Sequence, residues 1–235
     1  MLIIRKLLND VIDLFYPKAC LLCRKSLIEG EEHLCMDCLC DLPKTNFHRN
    51  TENPAKELFA GYPNVPEALS FLFYEKEGIT QEIVHSIKYY GNRNLARYMG
   101  RLAALDIYES GYYQDIDAII PIPLHKKKKR KRGFNQSEIL SLGISEIYCK
   151  PVDTKSVIRS VHTSSQTKKT VYDRHTNVEN IFKTVDIEAL KGKHVLLVDD
   201  VITTGATTSA CIDALSVVPD LKISVFSLAI AGSYL

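Results

Sequence analysis

The thirteen residues Val195–Thr207, VLLVDDVITTGAT, constrain the fold more than any other stretch of the chain. Four consecutive aliphatic residues, Val195 to Val198, leave no alternation for a wet face and fit a parallel strand buried on both sides. Two carboxylates, Asp199 and Asp200, stand where that strand is predicted to end. The small residues Thr203, Thr204, Gly205, Ala206 and Thr207 then lead into the apolar-periodic segment Ser209–Val217, which reads as a helix. Backbone N–H groups at such a junction, aided by the helix dipole, form a phosphate cradle. Gly205 permits close backbone approach, and the threonine hydroxyls can donate further hydrogen bonds. The carboxylates cannot serve the phosphate; they suit sugar hydroxyls or a hydrated Mg²⁺. A phosphate cradle beside a diol-binding acidic pair implies a sugar phosphate. The bland alternative is a buried strand followed by an ordinary polar turn. Neither a Gly-Lys-Ser/Thr phosphate loop nor GxGxxG is present, which removes both nucleotide-binding rivals.

Two CxxC pairs, Cys20/Cys23 and Cys35/Cys38, are separated by eleven residues that include a turn at Glu29-Gly30. Four thiolates at this spacing can surround one Zn²⁺ tetrahedrally, and a thioredoxin-like redox pair would need only one CxxC. With no open coordination position, such a metal folds a small module, over residues 17–45, and performs no chemistry. Cys40 and His33 lie close enough in sequence to replace a ligand, or are spectators.

Length and composition bound the rest. A chain of 235 residues, 46% hydrophobic and 25% charged, holds one α/β domain with a substantial core and a small appendage. Residues 1–16 carry apolar side chains at Ile3, Ile4, Leu7, Leu8, Val11, Ile12 and Phe15, the spacing of an amphipathic helix packed on the body. Asp10 and Asp13 interrupt that run, which is too short for membrane insertion. No secretory signal is evident, so a cytoplasmic location with reduced cysteines is expected. The seven cations of Lys126–Arg132 exceed the formal net charge of +2, leaving a mildly acidic body with one basic patch.

Along the chain, Ala68–Tyr74 reads as a strand, Ile79–Ile87 and Asn94–Ile107 as helices, and Asp117–Pro123 as the first core strand. Lys88, in the turn ending the first of these helices, could reach an anion, although a lysine there is ordinarily solvated. The basic run opens at the carboxyl edge of the predicted sheet, where ligands bind in open α/β folds. Lys126–Lys129 read equally as a solvated cationic loop; Arg132 beside Gly133 suits a diphosphate. Val157–Ile158, Ile181–Val185 and Lys222–Ala231 are expected to complete the sheet.

Val195–Thr207 resembles the phosphoribosyl-pyrophosphate (PRPP) motif of type I phosphoribosyltransferases. The segment PIPLH at 121–125, the basic run into RGFNQ at 132–136, and Gln166, Thr167, Arg174, Asn177 and Phe182 are similar to the signature of the ComF (competence protein F) family. That resemblance implies a zinc ribbon joined to a phosphoribosyltransferase-like domain over residues 66–235, with a mostly parallel sheet and a link to DNA uptake in natural transformation. It implies PRPP as ligand with Mg²⁺, ribose hydroxyls on Asp199 and Asp200, the 5-phosphate on 203–207, and pyrophosphate near Arg132 and Gly133. Arg159–Asn180 resembles the loop that closes over such active sites, with Lys168 and Arg174 meeting the leaving group. The acceptor stays open. So does a non-catalytic alternative, in which the protein binds single-stranded DNA, senses PRPP or contacts other competence proteins.

Overall fold

The computed structural model describes residues 18–50, 53–159 and 181–232; the helix expected over residues 1–16 lies outside them. A four-stranded, all-parallel sheet has the order β1 (Ala68–Phe73), β6 (Lys222–Ile230), β5 (His194–Ile202), β2 (Ala118–Pro121). Val195, Leu196, Leu197 and Val198 are fully buried between β2 and β6, as their unbroken apolar run requires. Each such side chain stabilises the sheet by roughly 1.5–3 kcal/mol relative to exposure.

The central strand does not stop at its acids. Asp199, Val201 and Ile202 remain in register with Ser227, Ala229 and Ile230, so Asp199 and Asp200 lie within β5. The cause is unequal neighbours: β2 ends at Pro121, opposite Val198, whereas β6 continues alongside. One edge of the acidic segment is thus laddered and the other is open.

The main sheet is also smaller than expected. Val157–Ile158 and Ile181–Val185 contribute instead to a separate antiparallel pair, β3 (Val157–Arg159) and β4 (Phe182–Thr184). Val157, Phe182 and Thr184 are buried while their neighbours are not, a one-faced pattern unsuited to a sheet covered on both sides. Thr184 Oγ1 donates to the Ala214 carbonyl at 2.6 Å, tying the pair to α7 (Ala206–Leu215), which begins three residues before the predicted Ser209.

The remaining helices, in chain order, are α1 (Met36–Cys40), α2 (Pro54–Glu57), α3 (Ile79–Tyr89), α4 (Arg93–Tyr108), α5 (Lys126–Arg132) and α6 (Gln136–Tyr148). Helix α3 follows β1 and lies along the carboxyl edge, its Lys88 reaching β5. Helix α4 returns to the amino edge, where the Tyr113 hydroxyl donates to the Val225 carbonyl at 2.7 Å. Helices α4 and α6 meet backbone to backbone. A Cβ on Gly143 would collide with the Arg97 carbonyl and lie 2.8 Å from Arg101 N, and one on Gly100 would strike the Leu140 carbonyl. The basic run, expected as a loop, is helical as α5 despite like charges one turn apart. His125 Nδ1 accepts from Lys127 N at its start, and Gly133, at φ +81°, ends it.

Candidate functional site

The parallel ladder delivers Asp199 and Asp200 to the carboxyl end of the sheet, beside three elements distant in sequence. Lys88, in the last turn of α3, places Nζ 3.1 Å from Asp200 Oδ2, with both side chains largely buried. Asp199 Oδ1 accepts from Ser137 Oγ at 3.3 Å and from Asp200 N at 2.8 Å. Arg159, at the end of β3, lies over the Phe182 ring at 5.2 Å and within the field of Asp199. Burial, reinforced by the neighbouring Asp200 charge, pushes the Asp199 carboxyl up to about 7, against the opposing pull of Lys88 and its two hydrogen bonds. The pair therefore already holds one cation, the Lys88 ammonium, and retains demand for more positive charge.

Beyond Ile202 the loop behaves as its composition requires. Gly205 is buried at φ +75°, a conformation costly for any residue with a Cβ, and starts α7 without a side-chain cap. Of the first-turn N–H groups, that of Ala206 donates to Thr204 Oγ1 at 3.5 Å, and Gly205 has no side chain to cap the rest. Thr203, Thr204, Ala206 and Thr207 are exposed around it. Phe59 supports the glycine from behind, 3.5 Å from where a Cβ would sit.

The structure divides the basic run. Lys126 to Lys131 face solvent, Lys129 pairing with Glu138 at 3.1 Å. Arg132 alone turns inward, donating to Gln136 Oε1 at 2.8 Å with its guanidinium 5.8 Å from the Tyr89 ring centroid. Gly133 makes that turn, and the buried Phe134, Asn135, Gln136 and Ser137 anchor it, with Asn135 Nδ2 donating to the Ile122 carbonyl at 2.9 Å. Lys168 and Arg174 lie outside the described residues. Next to the acids, a cavity of about 410 Å³ opens between α3 and the ends of β5 and β6, lined in part by Lys88, Thr203 and Ala231.

Sequence reasoning missed Ser137 and Arg159 and took Lys88 as ordinarily solvated. The only signals were local: Ser137 follows RGFNQ directly, and Lys88 precedes two tyrosines and Gly91. Neither spacing reveals that the partner lies across the fold.

At the amino end the four cysteines converge. The Sγ atoms of Cys20, Cys23, Cys35 and Cys38 lie within 4.8 Å of one another, those of Cys23 and Cys35 at 3.5 Å. A tetrahedron with Zn–S bonds of about 2.3 Å separates its sulfurs by roughly 3.8 Å, so the donor set fits zinc. Cys35 N donates to Cys20 Sγ at 3.4 Å, and the Glu31 carboxylate accepts from Ile28 N and Met36 N at 2.9 and 2.8 Å, bracing the connection. Cys40 is exposed outside this group, and His33 packs edge-on against Tyr98.

Fold and site together define a class: a parallel α/β domain with an acidic pair at its carboxyl edge and an amino-terminal four-cysteine cluster. No protein-family model matches the chain. Among characterised proteins its homologues are DNA utilization and competence proteins. It is 26% identical over 209 residues to DNA utilization protein YhgH of Escherichia coli K12, covering 82% of this chain and 88% of that one. It is 34% identical over 139 residues to competence protein F of Haemophilus influenzae, covering 59% and 60%, and 34% identical over 89 residues to competence protein ComFC of Bacillus subtilis, covering 38% and 34%. Among solved structures, an adenine phosphoribosyltransferase aligns with a TM-score of 0.36 and 17% identity over 77% of this chain and 91% of that one. The glutamine PRPP amidotransferase of B. subtilis aligns with a TM-score of 0.42 and 15% identity; the match spans 62% of this chain but only 30% of that enzyme. No described helix is long and apolar enough to cross a membrane.

Proposed function

We propose that this chain is a PRPP-binding, phosphoribosyltransferase-like protein of the competence group. The observation that carries the reading is Asp199 and Asp200 inside the open-edged end of β5, a short loop ahead of the helix start at the left-handed Gly205. The first-turn amides and the hydroxyls of Thr203, Thr204 and Thr207 hold the 5-phosphate, with Ala206 and Gly205 allowing close approach. The acids hold the ribose hydroxyls. Lys88 and Arg132 supply the cations that meet the departing pyrophosphate. Asp199 and Asp200 also suit the outer shell of a hydrated Mg²⁺, which would neutralise the diphosphate. At ribose C1 the bond to pyrophosphate breaks with its electron pair leaving on the diphosphate, while an acceptor atom bonds to the carbon. The chain's contribution is positioning and charge stabilisation. Cys20, Cys23, Cys35 and Cys38 hold a structural Zn²⁺. A role in DNA utilization and competence is supported by the names of the homologues.

Calorimetry with PRPP and Mg²⁺ tests this. Wild type is expected to bind, and Asp200→Ala and Lys88→Met to bind at least about tenfold more weakly, the loss typical of one buried charge contact. Equal binding by all three sinks the mechanism. A second reading is favoured by the solvent-facing cations of α5: salt-sensitive binding of single-stranded DNA, which would persist in Asp199→Asn.

A further inference from the structure

We propose that the groove between the four-cysteine module and α3 is the seat of the chain's own amino-terminal segment, residues 3–15.

The groove is an opening of about 780 Å³ at a joint that the described residues leave unfilled. The module is fastened to the body along α4, where Arg101 meets Glu32 and His33 packs edge-on against Tyr98 with ring centroids 5.4 Å apart. Its other flank, Leu21 to Arg24, lines the gap together with the first half of α3. There the exposed Arg24–Glu82 pair, at 3.3 Å, spans the rim, and a pair of that kind contributes little. Leu21 and Leu22 on one bank and Ile79 on the other stay half-buried, so two elements present apolar surface to one space. A groove with apolar banks and a charged rim suits the apolar face of a helix.

The chain supplies such a face. Ile4, Leu8, Val11 and Phe15 recur at helical spacing, and an amphipathic segment of this length gains its stability by covering that stripe. The tether is short. The described chain begins at Lys18, whose carbonyl accepts from Leu27 N at 2.7 Å within the knuckle that carries Leu21 and Leu22. Phe15 lies three residues earlier, a reach of at most roughly 10 Å. Attachment at that distance gives an effective concentration on the order of millimolar, which a separate partner would have to exceed. Charge agrees with the placement. Among the described residues no cation pairs with Glu77 at the rim, and the segment brings Arg5 and Lys6. Gln81 and His85 border both this groove and the cavity beside the acids, so the seated segment braces the α3 wall from behind.

Hydrogen–deuterium exchange of the full chain, read by mass spectrometry, tests the assignment. Amides of residues 3–15 should exchange at least about tenfold more slowly in wild type than in Ile79→Asp or Leu22→Asp. Aspartate at position 79 suits the first turn of α3, so it spoils the groove without breaking the helix. The charge variant Arg5→Glu/Lys6→Glu should speed exchange about two- to fivefold, and adding Glu77→Lys should recover part of that loss. Unchanged exchange of the β5 amides reports an intact fold; where Leu22→Asp alters it, Ile79→Asp decides. Unprotected amides in wild type, or protection equal in wild type and the groove variants, overturn the assignment. Protection that arises only on adding phosphatidylglycerol vesicles overturns it as well, and gives the segment to a membrane surface instead.

Discussion

Replacing Asp199 by asparagine should make the protein more stable at neutral pH, by an amount that depends on pH. The carboxyl is raised from 3.8 to about 7 by burial and by Asp200. At roughly 1.4 kcal/mol per pKa unit, ionising it in the folded chain costs at most about 4 kcal/mol. Asp199 retains partial contact with water, so the expected cost is about 2–4 kcal/mol. The sign follows from proton counting. Between about pH 4 and 7 the folded chain holds a proton that the unfolded chain has released, so wild-type stability falls as pH rises through that window. Below it both states are protonated and the cost vanishes; above it the cost is complete. Asparagine keeps an oxygen to accept from Ser137 Oγ and Asp200 N, and it never ionises. Melting followed by near-ultraviolet circular dichroism from about pH 5.5 to 8.5 should show the Asp199→Asn variant gaining on wild type, reaching roughly 5–10 °C at the alkaline end. A variant that melts no higher than wild type at about pH 8, or a gap constant across the range, would refute the reasoning. The same variant should bind PRPP poorly, the usual exchange of stability for function.

Two further outcomes concern the scaffold. Gly143→Ala forces a methyl group into the Arg97 carbonyl and should lower stability by about 1–3 kcal/mol, read as a reduced urea midpoint with unchanged slope. Elemental analysis of protein purified without chelator should find one zinc per chain, lost in Cys38→Ser together with several degrees of melting temperature; finding none ends the zinc assignment.

Features written in contiguous residues were legible before the structure. The aliphatic run Val195–Val198 predicts a doubly buried strand and the CxxC spacing predicts a four-sulfur cluster; the structure contains both. What escaped depends on which elements become neighbours. The length of β5 past its acids is set by β6, not by its own sequence. Val157–Arg159 and Phe182–Thr184 have strand-like composition but too few buried faces for the main sheet. Lys88 looks like any helix-ending lysine until α3 is laid across the carboxyl edge. The glycines of α4 and α6 carry no periodic signal, because their role is the absence of atoms at a crossing.

That crossing has a consequence for how the protein can change. Main-chain contact at Gly100 and Gly143 offers no rotamers to rearrange, so α6 is fixed in place and Ser137, at its beginning, has little freedom to aim elsewhere. The cavity wall on α3, by contrast, is made of the adaptable side chains Gln81, His85 and Tyr89. Diversification of the ligand would therefore accumulate on α3, while α6 holds its serine on Asp199 as a fixed datum.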